Sequence, residues 1–315
     1  MKRFLALVLV LALVLAPAAV FAEDPAPQEL PTAVVVKNLA VGEGRANPAE
    51  DFVFEFTEPS PATAPAIPNV TISYDTGENG PKTGALNLDG FATAAVGRYQ
   101  YEVTEVGGST AGMVYSDHKG TLVVDKESNG TVKSYIIIGT MGSPGDKYDD
   151  FTNTFTAWDL NVTKTVTGNL GDKAKEFTLR VTLKAPEGKI VKVDSITVLK
   201  NSVATETPVN FDENGVATLT LTVTDGVTYT IADLPDGVTY AVVEEGVEDG
   251  KVDEYTVTYE GATGIMNEDK AVTVTNDKSS EVPTGITLDN MPYIILMAVA
   301  LVGLGAFALR KRAQN

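Results

Sequence analysis

The chain has 315 residues and is acidic, with 42 Asp and Glu residues against 24 Lys and Arg and a formal net charge of −18. Such a surface repels phosphate backbones, which argues against nucleic acid as a partner. The chain has no Cys and one His, so disulfides, thiolate zinc sites, cysteine nucleophiles and multi-histidine metal centres are excluded, and we predict neither a metal nor a cofactor.

Residues 1–22 have the pattern of a secretory signal peptide. Lys2 and Arg3 precede an unbroken apolar run over residues 4–16, and Val20-Phe21-Ala22 supplies a small-x-small cleavage pattern. The run is short for a membrane span, which disfavours the alternative of an N-terminal anchor. We therefore expect export, and residues 23–31 form a polar, proline-rich lead-in to the folded part.

Residues 32–279 are predicted to be β-structure throughout. Short alternating runs rich in Val, Thr, Ile and Tyr, such as the one at 217–223, are separated by Asp-Gly and Asn-Gly turn pairs. No segment keeps a helical period. The length suits two small domains, so we predict an all-β fold of two tandem immunoglobulin-like β-sandwiches, over residues 32–157 and 158–279.

The two halves repeat weakly, with similar motifs in the same order. Each opens with a strand that carries a lysine, has an inner strand with a glutamate and closes with a strand that carries an asparagine; these are Lys37, Glu105 and Asn153, then Lys164, Glu244 and Asn276. Phe52 in the first half also corresponds to Phe177 in the second. Period-2 alternation puts both lysines, both glutamates and Asn276 on apolar faces, so a lysine, a glutamate and an asparagine should converge in an apolar core. Parity favours Glu105 and Glu244 over the rival acids Glu102 and Glu245. Such burial is costly unless something compensates it.

These motifs resemble a known family. Lys164-Thr165-Val166-Thr167-Gly168-Asn169, a Tyr-x-Val-x-Glu strand and a closing Val-Thr-Asn are similar to the streptococcal pilin isopeptide-linkage domains, the Cna-B-like modules of sortase-assembled pili. The resemblance implies a spontaneous Lys–Asn isopeptide bond in each half. A desolvated neutral lysine would attack the asparagine carbonyl, a buried protonated glutamate would shuttle protons, and ammonia would leave.

By the same resemblance, the two triads are Lys37–Glu105–Asn153 and Lys164–Glu244–Asn276. Each bond would close a loop of roughly 110 residues, and by analogy with a disulfide it would stabilise the fold by about 4–5 kcal/mol. A bond between the first and last strands of a domain would also give tension a covalent path through that domain.

Residues 281–315 contain three features in a fixed order. The first is a short sequence motif, the box Glu281-Val282-Pro283-Thr284-Gly285. An apolar run over residues 291–309 comes next, and the basic tail Arg310-Lys311-Arg312 follows it. A helix over the run would be about 28 Å long, near the thickness of a bilayer core. The series resembles a Gram-positive cell-wall sorting signal, with Val282 in place of the usual Leu, as in boxes read by pilus-specific sortases. An ordinary membrane anchor is the alternative.

In such a signal, a sortase cysteine would attack the Thr284 carbonyl and release the chain from Gly285 onward, and an amine would then resolve the thioester. In the resembling pilins the amine is a lysine shortly before the first closing asparagine, which corresponds to Lys147 here. Lys119, Lys126 and Lys133 are alternative acceptors. The acids beside Lys147, which are Asp146, Asp149 and Asp150, could instead suggest Ca²⁺, but they lack a recognised loop pattern.

The resemblance implies a backbone pilin, a non-enzymatic subunit of a covalent pilus at the Gram-positive cell wall, held in the membrane before sorting. Its partners would be sortase, copies of itself, minor pilins and a host surface ligand. A wall-anchored adhesin or minor pilin is the alternative. A secreted glycosidase with paired carboxylates is disfavoured, since the chain has a single Trp and two small β-modules account for nearly all of it.

Overall fold

The computed structural model describes residues 33–138 and 150–280, together with the helical residues 292–293, 295–297 and 299–300. The expected signal peptide, the lead-in, Lys147 and the sorting box lie outside the described residues, as does most of the expected membrane helix. Among the described residues, no helix is long and apolar enough to cross a membrane. The described chain is almost entirely β-structure, which confirms the all-β prediction.

The described part of the N-terminal half forms nine strands in two sheets. The strands are β1 (Val34–Val41), β2 (Glu50–Ser60), β3 (Val70–Tyr74), β4 (Gly80–Ala85), β5 (Gly97–Glu105), β6 (Met113–Val114), β7 (Lys119–Lys126), β8 (Val132–Ile138) and β9 (Phe151–Phe155). One sheet has the order β4-β1-β9-β6 and the other β3-β2-β5-β7-β8. Their apolar faces enclose one cluster of buried side chains, as expected for a sandwich.

The C-terminal half repeats this plan with eleven strands among the described residues. They are β10 (Ala157–Thr167), β11 (Phe177–Lys184), β12 (Thr197–Lys200), β13 (Val203–Ala204), β14 (Val216–Val223), β15 (Thr228–Pro235), β16 (Thr239–Glu244), β17 (Lys251–Val252), β18 (Tyr255–Glu260), β19 (Thr263–Ile265) and β20 (Lys270–Asp277). The sheets have the orders β13-β12-β15-β10-β20-β18-β17 and β14-β11-β16-β19. A second apolar cluster fills the space between them.

In each half the first and last strands are parallel neighbours. β1 pairs with β9, and β10 pairs with β20, while most other pairs are antiparallel. Parallel neighbours need a long crossover between them, and here the crossover is the rest of the sandwich. Strands that are far apart in sequence therefore lie side by side.

Alternation along these strands decides what enters the core. In β1, Val35, Lys37 and Leu39 are buried, and in β20, Val272, Val274 and Asn276 are buried, each at alternate positions. This is the period of two that the sequence pattern predicts.

The Asp-Gly and Asn-Gly pairs do not all close hairpins. Asn129-Gly130 joins the antiparallel neighbours β7 and β8. Asp225-Gly226 instead links β14 to β15, which lie in opposite sheets, and Asp89-Gly90 lies in a short 3₁₀ helix (Asp89–Ala92). Turn chemistry locates the reversals of the chain but does not determine which strands pair across them.

Polar contacts and backbone hydrogen bonds join the two sandwiches. The Arg45 guanidinium, which follows β1, forms ion pairs with Asp159 and Asp269 of the C-terminal half. On another part of the joint, Lys192 Nζ lies 2.8 Å from a Glu50 carboxylate oxygen. The Ile190 carbonyl also accepts a hydrogen bond from the Ala111 N–H at 2.9 Å. Contacts from several separate loops resist bending of one sandwich against the other.

We expect Gly168→Ala to destabilise the C-terminal sandwich. Gly168 has a φ of +89°, and a Cβ there would lie 2.3 Å from the carbonyl oxygen of Lys278, which also accepts the Leu170 N–H. The clash adds to the left-handed strain, so the free energy of unfolding should fall by about 1–3 kcal/mol more than in Gly250→Ala. Gly250 is the matched control, because its φ is +75° and nothing lies within 4 Å of a Cβ there. Equal losses in urea denaturation would contradict this account.

Candidate functional site

The register of β1 and β9 brings Lys37 and Asn153 together. Lys37 lies opposite Phe151 and Asn153 lies opposite Leu39, so the two side chains are one step of two residues apart on the same inward face. Neither residue is exposed. Glu105 ends β5 in the opposite sheet, and its side chain also has no exposed surface. The three residues therefore meet across the core of the sandwich.

The contacts within this first triad are direct. Lys37 Nζ lies 3.1 Å from Glu105 Oε2 and donates a hydrogen bond to the Phe151 carbonyl at 2.9 Å. Asn153 Nδ2 donates to Glu105 Oε1 at 2.5 Å. The Asn153 Oδ1 atom accepts the backbone N–H of Ser116 at 2.6 Å. An amine and a carboxamide thus both contact one carboxyl group, and none of the three groups has water-exposed surface.

The second triad has the same register. Lys164 lies opposite Val274 and Asn276 opposite Val166, so the offset of two residues recurs. Lys164 Nζ donates to Glu244 Oε2 at 2.8 Å, and Asn276 Nδ2 donates to Glu244 Oε1 at 2.7 Å. Lys164 and Asn276 are fully buried, and the Glu244 side chain is 1% exposed. In each half, the structure thus brings together the three residues that the sequence singled out.

An aromatic ring completes each site, and the sequence reasoning did not assign it a role. Lys37 Nζ lies 4.6 Å from the centre of the Phe52 ring, and Lys164 Nζ lies 4.5 Å from that of Phe177. A ring face attracts an ammonium group, but it does not solvate that group as water does. The ring therefore also shields the amine from water. The matched positions of these residues in the repeat were the available signal.

Burial dominates the electrostatics of both sites. Desolvation lowers the pKa of Lys37 to about 8, despite the opposing attraction of Glu105, and it also lowers the pKa of Lys164. Burial likewise raises the pKa of Glu105. In the N-terminal site, both shifts move the pair towards a neutral amine and a neutral carboxyl group. A neutral amine has the free lone pair that attack on a carbonyl requires.

The rival acids lie outside the sites. Glu102 pairs on the outer face with Lys119 at 2.7 Å, and Glu245 is exposed. Lys133, one of the alternative acceptor lysines, pairs with Glu127 at 2.5 Å on the surface. Lys126, another alternative, donates to a backbone carbonyl in the β7–β8 turn. The expected acceptor Lys147 and the cleavage residues Thr284 and Gly285 are outside the described residues.

Comparisons with known proteins bear on both halves. Residues 33–156 match the family described as the Spy0128-like isopeptide containing domain, and residues 158–278 match a domain of unknown function, DUF7601. A protein named "Pilin" from Streptococcus pyogenes serotype M1 is 28% identical over 270 residues, which cover 78% of each chain. This chain is a homologue of that streptococcal pilin.

Two further matches are to pilus proteins of Streptococcus pyogenes. The crystal structure of the major pilin from Streptococcus pyogenes is 25% identical, with a TM-score of 0.51, and the match covers 79% of this chain and 98% of that chain. The pilus tip adhesin Cpa of Streptococcus pyogenes is 31% identical over 138 residues, which are 41% of this chain but only 18% of the adhesin.

The lowered pKa of Lys37 predicts a pH dependence of stability in the variant Asn153→Ala, where no acceptor carbonyl is present. Between about pH 8 and 10.5 the unfolded state holds a proton on Lys37 that the folded state has lost. Stability rises with pH wherever the unfolded state binds more protons, so the unfolding free energy of the N-terminal sandwich should rise across this window.

The control for this measurement is Lys37→Met combined with Asn153→Ala, which keeps Glu105 but has no titrating amine. The difference between the two variants in urea denaturation at pH 8, 9 and 10 isolates the lysine. If both variants respond to pH alike, the folded-state pKa of Lys37 is not lowered.

Proposed function

We propose that this protein is the backbone subunit of a sortase-polymerised pilus, and that one Lys–Asn isopeptide bond in each sandwich stabilises it. The observation that carries the proposal is the repetition of one buried amine–carboxyl–carboxamide triad, with the same strand register, in a homologue of a streptococcal pilin. The residues assigned to the bonds are Lys37, Glu105 and Asn153, and Lys164, Glu244 and Asn276.

A purely structural role accounts poorly for these triads. Buried ion pairs gain little over well-packed apolar residues, because desolvation offsets most of their attraction. Two sandwiches each retain such a pair beside a carboxamide in the same arrangement. Covalent bond formation explains why all three groups are present and why they are shielded from water.

The proposed reaction begins with transfer of the lysine proton to the glutamate carboxylate. The neutral amine then attacks Cγ of the asparagine, and the carbonyl electron pair moves to Oδ1. The protons lost by nitrogen pass through the carboxyl group to Nδ2, the Cγ–Nδ2 bond breaks, and ammonia leaves. The product is a neutral amide, so the bond also removes the burial cost of the charges.

The two bonds would have different mechanical roles if Lys147 accepts the neighbouring subunit. Tension from Lys147 to Thr284 would follow β9 and β10 and then cross directly to β20 through the Lys164–Asn276 bond, which bypasses the rest of the C-terminal sandwich. The strands β1 to β8 precede Lys147 and lie outside that path. The Lys37–Asn153 bond would instead tether them to the loaded strand β9.

The sequence signals support the cell-surface part of the proposal. The signal peptide would direct export, the membrane helix would hold the precursor, and sortase would cleave between Thr284 and Gly285 and attach the chain to a neighbouring subunit or to the cell wall. The subunit has no turnover of its own. Minor pilins and a host surface ligand are further proposed partners.

A wall-anchored adhesin or minor pilin is the second candidate, favoured by the match to part of the tip adhesin. Two observations weigh against it. The match covers only 18% of that adhesin, and the match to the pilin covers 78% of both chains. An adhesin would present a binding surface and would not form a ladder of covalent multimers.

Intact mass spectrometry of residues 23–284 under denaturing conditions tests the bonds. Each isopeptide bond removes one ammonia, about 17 Da, so we expect a deficit of two ammonias in the parent chain. Glu105→Ala and Glu244→Ala should each restore one. Glu102→Ala and Glu245→Ala are the matched controls and should keep both bonds. A full mass in the parent chain would refute the proposal of isopeptide bonds.

Polymerisation is tested in a Gram-positive host that carries a pilus sortase. We expect a ladder of multimers that resists boiling in detergent, and we expect Lys147→Arg to abolish it by removing the nucleophilic amine. Lys133→Arg, at another lysine of the same half, should leave the ladder intact. A parent chain that stays monomeric on the wall would favour the adhesin instead.

A further inference from the structure

The two triads differ at one atom, the carbonyl oxygen of the asparagine. In the N-terminal site, Asn153 Oδ1 accepts the backbone N–H of Ser116 at 2.6 Å. In the C-terminal site, Asn276 Oδ1 is buried and has no hydrogen-bond partner among the described residues. This oxygen receives negative charge when the amine attacks, so a donor beside it bears directly on the reaction.

The Ser116 contact also fixes the orientation of the Asn153 amide. A backbone N–H can only donate, so the atom that faces it must be the oxygen. The nitrogen of the amide, which is the leaving group, therefore faces Glu105 Oε1. Asn276 has no such constraint. Its amide faces the Glu244 carboxyl group, which can accept from the amide nitrogen or, when protonated, donate to the amide oxygen.

The length of the strand beside β9 explains the difference. β6 pairs with β9 only at Met113 and Val114, opposite Phe155 and Thr154, so the chain leaves the ladder one residue before it reaches Asn153. The N–H of Ser116 is then free of strand pairing and turns to the Asn153 side chain.

The strand beside β20 does not end there. β18 stays paired past Asn276, with Val257 opposite Asn276 and Thr256 opposite Asp277. The Val257 N–H is itself used, since it donates to the Gly250 carbonyl at 2.9 Å. A longer neighbouring strand thus leaves no equivalent donor among the described residues of the C-terminal site.

We propose that the backbone N–H of Ser116 is a catalytic oxyanion donor for the Lys37–Asn153 bond, and that the C-terminal site works without one. This rests on the proposed isopeptide chemistry. When Lys37 Nζ forms its bond to Cγ, the carbonyl π electrons move to Oδ1, where the Ser116 N–H stabilises them. The electron pair on Oδ1 re-forms the carbonyl double bond as the Cγ–Nδ2 bond breaks. Protons that Glu105 carries from Nζ let Nδ2 leave as ammonia.

This division of work has a consequence for Glu105. With the oxyanion held by Ser116, the polar contacts of the Glu105 carboxyl group among the described residues are to two nitrogens, Lys37 Nζ and Asn153 Nδ2, and its role is proton transfer from one to the other. In the C-terminal site, Glu244 likewise contacts the two nitrogens, Lys164 Nζ and Asn276 Nδ2, but no described donor contacts the Asn276 oxygen. The N-terminal bond should therefore form faster than it would without the donor.

The test measures the rate of each bond separately in one chain. Residues 23–284 are produced unfolded in inclusion bodies, refolded by dilution and quenched in acid at intervals. Branched tryptic peptides then report the Lys37–Asn153 and Lys164–Asn276 bonds by mass. Ser116→Pro removes the N–H, and Ser116→Ala keeps it. Loss of one oxyanion donor slows related reactions by about 10²-fold or more, and we expect Ser116→Pro to slow the N-terminal bond by about that factor.

Proline also restricts the backbone, so a second variant distinguishes loss of the N–H donor from a change in the fold. Lactic acid incorporated at position 116 replaces the N–H with an ester oxygen and is otherwise matched to Ser116→Ala. We expect the ester to slow the N-terminal bond by about 10²-fold relative to Ser116→Ala, with the C-terminal rate unchanged as the internal control. If Ser116→Pro fails to fold, the ester variant decides.

The outcomes separate this inference from the function on which it rests. If the parent chain forms the N-terminal bond and the ester variant forms it at the rate of Ser116→Ala, the oxyanion role is overturned while the isopeptide proposal stands. If the parent chain forms no N-terminal bond at all, the proposed chemistry of that site fails and the donor role fails with it.

Discussion

The structure depends on one interaction, the contact of a buried amine with a buried carboxyl group between two sheets. In water such a pair would be charged and weakly bound, but between apolar faces desolvation opposes both charges. Lys37 and Glu105 meet in this way over the ring of Phe52, and Lys164 and Glu244 meet over Phe177. The burial that makes the pair costly also lowers the pKa of both lysines, and a neutral amine is what the proposed attack on asparagine requires.

Strand topology would give the proposed covalent link its structural value. Because the first and last strands of each sandwich are parallel neighbours, the lysine of one and the asparagine of the other lie on the same face, one strand spacing apart and offset by two residues. The residues that meet are more than a hundred positions apart in sequence, so the proposed bond closes nearly the whole domain. Ion pairs of Arg45 and Lys192 join the two sandwiches to each other. A subunit of a tensile fibre needs both properties.

The sequence predicted much of the site because parity is local. A residue two positions from a buried valine in a strand shares its face, so the inward direction of Glu105 and the outward direction of Glu102 could be assigned without any tertiary knowledge. The aromatic partners were visible only as matched positions in the repeat, since nothing local says that Phe52 lies beneath an amine. The interdomain ion pairs of Arg45 left no pattern, because Asp159 in β10 and Asp269 just before β20 are far apart in the sequence of the other half.

By itself the sequence determined the all-β fold, the two repeated modules and which polar side chains enter their cores, since these follow from period-2 alternation, turn residues and internal repetition. Only the tertiary structure decided which strands became neighbours and therefore how the triads were assembled. It also decided that the two sites differ. The early end of β6 frees the Ser116 N–H for Asn153, whereas β18 continues past Asn276. Where a neighbouring strand ends depends on packing across the sheet, and no local pattern around either asparagine encodes it.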